Sequence, residues 1–232
     1  MTDLNTLGET WDKLGKYNAF WAVLSDKKQW NEKEFFETGR KEIKQVLDNL
    51  KKHKVTPSHG KAMDFGCGLG RLTQALGKYF DEVVGVDIAS SMIKQATDLN
   101  KLKNVSFKHV TSGDLAPFKT GTFDLVFTDI VFQHMENEYT LHYIEEMHRI
   151  LKRGGVLVFQ LPSEPTNTWK GLLIKGLPDN MLTYLRKGME MHPIRKDKVI
   201  QHLQDTGFNV ITAEHDSNHK HWDAYFYYAS KT

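Results

Sequence analysis

Three glycines at alternate positions, Gly66, Gly68 and Gly70 in "MDFGCGLGRLT", follow an apolar run and precede a helical pattern. Glycine in a strand-to-helix turn lets the backbone come close to a ligand, an arrangement common to dinucleotide oxidoreductases and methyl-donor enzymes. The loop alone does not choose between them. Seventeen positions beyond Gly70 the run "VVGVD" ends in Asp87, and a carboxylate at such a strand end has two oxygens with which to accept both hydroxyls of a ribose. Together these features point to an adenosine-containing ligand. Three others separate the two classes: the spacing is Gly-x-Gly-x-Gly rather than GxGxxG, Asp64 precedes it, and a second acidic site, Gly113-Asp114-Leu115, follows the third strand-like run. A pyrophosphate favours a helix N-terminus free of negative charge, whereas a donor carrying an α-amino group and a sulfonium tolerates acid nearby. A nicotinamide-dependent oxidoreductase is therefore disfavoured.

Acid-base candidates are fewer. His134, in "TDIVFQHM", titrates near neutral pH and is the first choice for taking a proton from a substrate; the competing role is structural, capping the next segment or packing under the donor. His192 in "GMEMHPIR" is a second candidate, or an exposed loop residue. His215, His219 and His221 lie close in sequence, but there is no HExxH pair, and the single cysteine, Cys67, rules out a multi-cysteine centre, so no metal is expected. Cys67 stands in the glycine loop where a small side chain is needed, which favours packing over a nucleophilic role. Arg40 and Tyr17 are candidates for holding a ligand carboxylate, Arg in bidentate fashion, with a surface role equally open. Trp11, Trp21 and Trp30 either close over the substrate or pack their segment onto the rest of the chain.

The elements that must position these residues fall into two parts. Residues 1–56 read as an N-terminal helical cap, rich in aromatics and ending in a helix where Ile43, Val46, Leu47 and Leu50 keep the 3, 4 spacing. Residues 57–232 alternate apolar runs with helical patterns: "KAMDF", a helix from Arg71, "EVVGVD", a helix from Ser91, "VSFKHV", "FDLVFT", a helix from Glu138 and "VLVFQL". That rhythm means an α/β fold, a parallel sheet covered by helices on both faces. It is lost across about 163–193, then resumes with a helix over 197–205 and two paired strands, "FNVITAEH" and "AYFYYAS". Lys and Arg total 31 against 29 Asp and Glu, so no basic field invites a polyanion, and no nucleic-acid partner is expected. No apolar run approaches the roughly 18 residues of a membrane helix, and the start "MTDLNTLGET" has no secretory pattern. Together with the lone cysteine, this makes cytoplasm the expected compartment.

The order of "MDFGCGLGRLT", "VVGVDIASSMI", "TSGDLAPF", "FDLVFTDIVFQHM" and "LKRGGVLVFQLP" over about 61–161 closely resembles the class I S-adenosylmethionine-dependent methyltransferases, and the N-terminal block is similar to that of bacterial small-molecule members. The resemblance implies a Rossmann-like three-layer sandwich, with seven strands in the order 3-2-1-4-5-7-6 and the last strand antiparallel. It implies S-adenosylmethionine as methyl donor and S-adenosylhomocysteine as product. The loop of Asp64, Gly66, Cys67, Gly68 and Gly70 would surround the methionine part, and Asp87 would hold the ribose. Asp114 would meet the adenine amino group, with Gly113 and Leu115 beside it and Ile88 and Met92 against the ring. Asp129 stands where similar enzymes often have Asn or Ala. The "TDIVFQHM" loop lacks the Asn/Asp-Pro-Pro-aromatic tetrad of enzymes that methylate amino groups of DNA, RNA and protein glutamine. The expected reaction is methyl transfer to an oxygen or nitrogen of a small molecule; the alternatives are a protein, lipid or sugar target, or a non-catalytic adenosyl-ligand sensor. The insertion over about 163–193 is expected to build the acceptor pocket, where Trp169, Leu172, Leu173, Met181, Tyr184 and Met189 suggest an apolar or aromatic acceptor.

Overall fold

The computed structural model describes residues 3–25, 27–177, 181, 190–219 and 221–232. Seven strands form one sheet in the order β3-β2-β1-β4-β5-β7-β6. They are β1 (Lys61–Phe65), β2 (Glu82–Asp87), β3 (Val105–His109), β4 (Phe123–Thr128), β5 (Leu151–Pro165), β6 (Phe208–His215) and β7 (Trp222–Lys231). The first five are mutually parallel, and β7 runs antiparallel to both of its neighbours, β5 and β6. The fold is thus a Rossmann-like sandwich with the strand order expected. β4 is buried throughout and β1 at four of its five positions, because helices cover both faces of the sheet.

Two cores result. On one face Met63, Val86, Phe132, Ile144, Leu157 and Tyr227 pack with the helices α5 (Asn137–Ile150) and α7 (Lys196–Asp205). On the other, Ala62, Leu125, Phe127 and Val158 pack with Leu72 and Leu76 of α3 (Arg71–Leu76) and with Ile43, Val46 and Leu50 of α2 (Glu32–Lys52). The 3, 4 spacing of α2 is therefore spent against the sheet side of the molecule. Asn31 caps it by accepting from the Lys33 and Glu34 N–H groups at 2.9 and 3.4 Å, with Glu32 and Glu34 in its first turn and Lys51 and Lys52 in its last, as the helix dipole favours. Gly39 allows the close crossing of α3: a Cβ there would lie 2.4 Å from the Arg71 carbonyl oxygen. One turn on, this brings Glu42 to Arg71.

The first helix, α1 (Leu4–Val23), is two segments meeting at Asn18, whose φ of −161° and ψ of 85° break the helical run. The Asn18 side chain accepts from the Trp21 N–H at 3.2 Å and so caps the second segment. Farther back, α1 lies on α4 (Ser90–Leu99). Position 89, before α4, is alanine and offers no side-chain cap; Asp12 supplies it from α1, accepting from the Ser91 N–H at 2.8 Å and the Ser90 hydroxyl at 3.0 Å. The short α6 (Trp169–Gly176) follows β5. Among the described residues no helix is long and apolar enough to cross a membrane.

Candidate active site

The loop after β1 is fixed by its own backbone and by Asp87. The N–H groups of Gly66 and Cys67 both donate to the Val86 carbonyl, at 2.8 and 2.9 Å. Gly68 holds φ at +51°, and its N–H donates to Asp87 Oδ2 at 2.8 Å while the Ala89 N–H donates to Oδ1 at 2.8 Å. One carboxylate thus ties the loop to the entry of α4. Burial pushes the Asp87 carboxyl up, and the two backbone N–H groups hold it down without cancelling the rise. An ionised carboxylate offers about four acceptor positions. Two are taken here, and two are left for a diol. A Cβ at Gly68 would come within 2.6 Å of Val23 Cγ2, so the end of α1 closes directly over the loop.

A cavity lies between this loop, α1 and the segment after β4. Gly66, Gly68, Asp87, Ile88, Met92, Asp129 and His134 line it, joined by Leu4, Leu7, Trp11 and Val23 of α1 and by Val110, Ile130, Val131 and Tyr143. Eight of the sequence-selected residues, Trp11 among them, therefore share one space. The others do not line it. Asp64 is buried beneath the loop and accepts from the Thr73 hydroxyl at 2.6 Å, Cys67 is buried in the turn, and Gly70 caps α3 over Phe107. In the acidic Gly113-Asp114-Leu115 stretch, Gly113 packs against Leu4, Asp114 turns back to accept from the Ala116 N–H at 3.2 Å, and the Leu115 N–H donates to Glu146 at 2.9 Å. Tyr17 is 80% exposed. Arg40 bonds Glu37 at 2.6 Å and lines a separate depression beside Lys78 and Lys101.

The buried cation near the loop is Arg71, which the sequence reading passed over. It donates to Glu42 at 2.6 Å and to Asp129 at 3.4 Å, with Arg71 and Asp129 side chains only 3% and 5% exposed. Burial opposes the Arg71 charge, but the carboxylates of Glu42 and Asp129 more than offset it. Burial is also the main reason that the Asp129 carboxyl sits well above its usual range, reinforced by the Glu42 charge and resisted by Arg71. The next residue, Ile130, has φ of +58°. A β-branched side chain in that region is strained, and such strain gathers at working sites.

His134 ends a short 3-10 turn, Phe132–His134. Its Nδ1 faces the Glu190 carbonyl at 2.8 Å, and a carbonyl only accepts, so a neutral ring carries its proton there. Nε2 then holds the lone pair and accepts from the Gln133 amide at 3.0 Å. The Trp11 ring meets the imidazole edge-on, with centroids 5.1 Å apart. His192 sits apart, with its N–H on the Gln133 carbonyl and its ring 3.0 Å from Glu190. Glu136, Glu190 and His192 place one ligand-type atom each within 4.8 Å of the others. His215, His219 and His221 do not meet in this way: their rings face Asp223, Asp216 and Thr168.

A family described as "Methyltransferase domain" matches residues 63–159, which span the glycine loop, Asp87, the strained turn and β5. Over that stretch the chain is similar to a methyltransferase domain. A demethylmenaquinone methyltransferase of Alkalihalophilus pseudofirmus is 31% identical over 125 residues, covering 51% of each chain. A malonyl-[acyl-carrier protein] O-methyltransferase of Legionella pneumophila is 26% identical over 174 residues, covering 72% of this chain and 57% of that protein. The chain thus matches a little over half the length of these curated relatives. Among solved structures, the magnesium protoporphyrin IX methyltransferase of Synechocystis PCC 6803, solved with bound SAH, superposes with a TM-score of 0.70 at 20% identity over 99% of this chain and all of that one. That likeness establishes the fold. The matched stretch and α1 together supply all of the described residues that line the cavity.

Proposed function

We propose that the cavity under α1 binds S-adenosylmethionine and that the protein transfers its methyl group to an oxygen or nitrogen of a small-molecule acceptor. The observation that carries this reading is the Asp87 carboxylate, held in place by two backbone N–H groups at 2.8 Å beside a glycine cradle that a Cβ would fill. The rest of the lining suits the remaining chemistry of that donor: Ile88, Met92 and Val110 present apolar surface for a base, and Asp129 presents an acidic group for an ammonium. The relatives named above are a demethylmenaquinone methyltransferase and a malonyl-[acyl-carrier protein] O-methyltransferase, which supports the reaction class. Bound there, S-adenosylmethionine supplies an electrophilic methyl carbon on a sulfonium.

The chain's own contribution is placement and exclusion of water. Leu7, Trp11 and Val23 cover the cavity from α1, and a water-poor site favours a reaction in which opposite charges meet. His134 acts chiefly as a positioning residue, because its lone pair is engaged by Gln133 and its N–H by Glu190. It takes a proton from an acceptor only when that acceptor displaces the Gln133 amide. Calorimetric titration with S-adenosylhomocysteine tests the donor site. Asp87→Ala is expected to lose about 1.5–3 kcal/mol of binding, the range for hydrogen bonds to a charged group, and parent-like affinity in that variant would refute the placement.

A further inference from the structure

Behind the donor cavity lies a second and larger one of about 920 Å³, within the roughly 300–1,000 Å³ range of small-molecule sites. It is bounded by α2, by the turn between β6 and β7, and by the same Asp129, Ile130 and His134 that wall the first cavity. Few of the described residues of the insertion after β5 contribute to it. Ile174 and Met191 reach it, whereas Trp169, Leu172, Leu173 and Met181 are about half or more exposed, and Tyr184 and Met189 lie outside the described residues. The apolar acceptor pocket expected from that segment is therefore not formed by the residues described.

The lining is rich in carboxyl groups. Glu42, Asp129, Glu214 and Asp216 place four there, beside the guanidinium of Arg71 and the imidazoles of His134, His215, His219 and His221, among the described residues. Two buried acceptor atoms in the wall have no hydrogen-bond partner: Glu42 Oε1 and Gln133 Oε1. The Gln133 side chain is 5% exposed, and its orientation is dictated by His134, because the imidazole lone pair at Nε2 requires the amide nitrogen rather than the oxygen. The orphaned oxygen is thus a consequence of the tautomer. A buried acceptor without a donor costs free energy that a ligand N–H restores. The aromatic rings of Trp222 and Phe226 complete the wall, and ring faces attract cations.

We infer that this second cavity is the acceptor site and that it selects a small molecule bearing a cationic amine, anchored by the carboxylates of Glu42 and Glu214 and by Gln133 Oε1. The acceptor role rests on the proposed methyl transfer; the preference for an amine rests on the cavity itself. Glu214 is well placed to serve without supporting the fold alone, since Asn49, His53 and the exposed Lys52 all face its carboxylate and an amide in its position keeps the same outline.

Three probes that share a ring and differ in head group test the claim on the full chain: benzylamine, benzyl alcohol and benzoate, followed by calorimetry and ligand-observed NMR. Each is measured with and without saturating S-adenosylhomocysteine, so failure of the donor reading registers separately as absent S-adenosylhomocysteine binding in the parent. Benzylamine is expected to bind roughly tenfold more tightly than benzyl alcohol, as hydrogen bonds to charged groups warrant, with benzoate weakest. Glu214→Gln is expected to remove most of that preference while leaving S-adenosylhomocysteine affinity unchanged, and Glu42→Gln provides an independent second variant. Equal binding of the three probes, a preference for benzoate, or an amine preference that survives both substitutions would overturn the inference.

Discussion

Asp64, next to last in β1, is buried and Asp87, last in the adjacent β2, is half-buried, and their carboxylates serve different ends. Asp87 is gripped by backbone N–H groups and faces the cavity; Asp64 lies under the loop with a hydroxyl from Thr73. With less to stabilise its charge, the Asp64 carboxyl is pushed up to about 7, chiefly by burial and against the pull of Thr73 and Arg71. A group whose folded pKa is raised keeps its proton in the folded state after the unfolded chain has released its own, so its contribution to stability falls as pH rises from about 4 to about 7. The gap from 3.8 is worth on the order of 4 kcal/mol. Asp64→Asn should therefore gain stability relative to the parent as pH is raised from 4 to 8, measured by urea unfolding, and a difference between the two that ignores pH would show that Asp64 is ionised in the fold. The glycine loop and Asp87 could be read from sequence because their conformation and chemistry are local. Arg71 could not: nothing in "GRLT" says that α2 crosses at Gly39 and delivers Glu42, and that contact decides which arginine is buried.

At the scale of elements, α1 is the part that most depends on the rest. It caps α4 through Asp12, touches the segment after β4 through Trp11, and ends over Gly68 through Val23. Its break at Asn18 divides the stretch that docks on α4 from the stretch that closes the loop. The Asp12 carboxyl is held below its usual range, first by Lys16 and then by the Ser91 N–H, so the stability that it contributes is present above the ordinary carboxylate range and is lost only in strong acid. Asp12→Ala should cost about 1 kcal/mol, as loss of a helix cap does, and should speed hydrogen exchange in both α1 and α4 at neutral pH. Exchange across 4–23 should slow when S-adenosylhomocysteine is added, as expected of a lid; identical protection with and without ligand would make α1 a fixed cover. The aromatic richness of this region was legible in the sequence, but its spacing was not a helical face, and only the packed structure separates Trp11, at the cavity, from Trp30, whose indole donates to the Leu24 carbonyl at 2.7 Å.

For the molecule as a whole, the cavity under α1 lies at the carboxyl ends of β1, β2 and β4, where parallel sheets leave a crevice. Because the cavity is assembled from α1, the β1 loop and the turn after β4, a donor that fills it stabilises all three together. S-adenosylhomocysteine at about 100 times its Kd should add roughly 2.7 kcal/mol and raise Tm by about 5–11 °C for a chain of this size; an unchanged Tm at saturation would mean that the cavity does not bind it. The succession of strands and helices was legible because a period of two or of 3.6 survives in each segment, whereas the strand order was implied by the resemblance of the motifs to a known family. The second cavity was not, because "EHDSNH" reads as a polar turn until β6 and β7 pair and carry it to face α2.

The strained turn at Asp129 and Ile130 belongs to both cavities, and a common wall carries a thermodynamic obligation. Whatever factor a ligand on one side imposes on affinity at the other must be returned in full, since linkage between binding sites is reciprocal. Relaxing the turn with Ile130→Gly would remove strain and with it the rigidity through which the two sides sense each other, leaving two sites that fill independently.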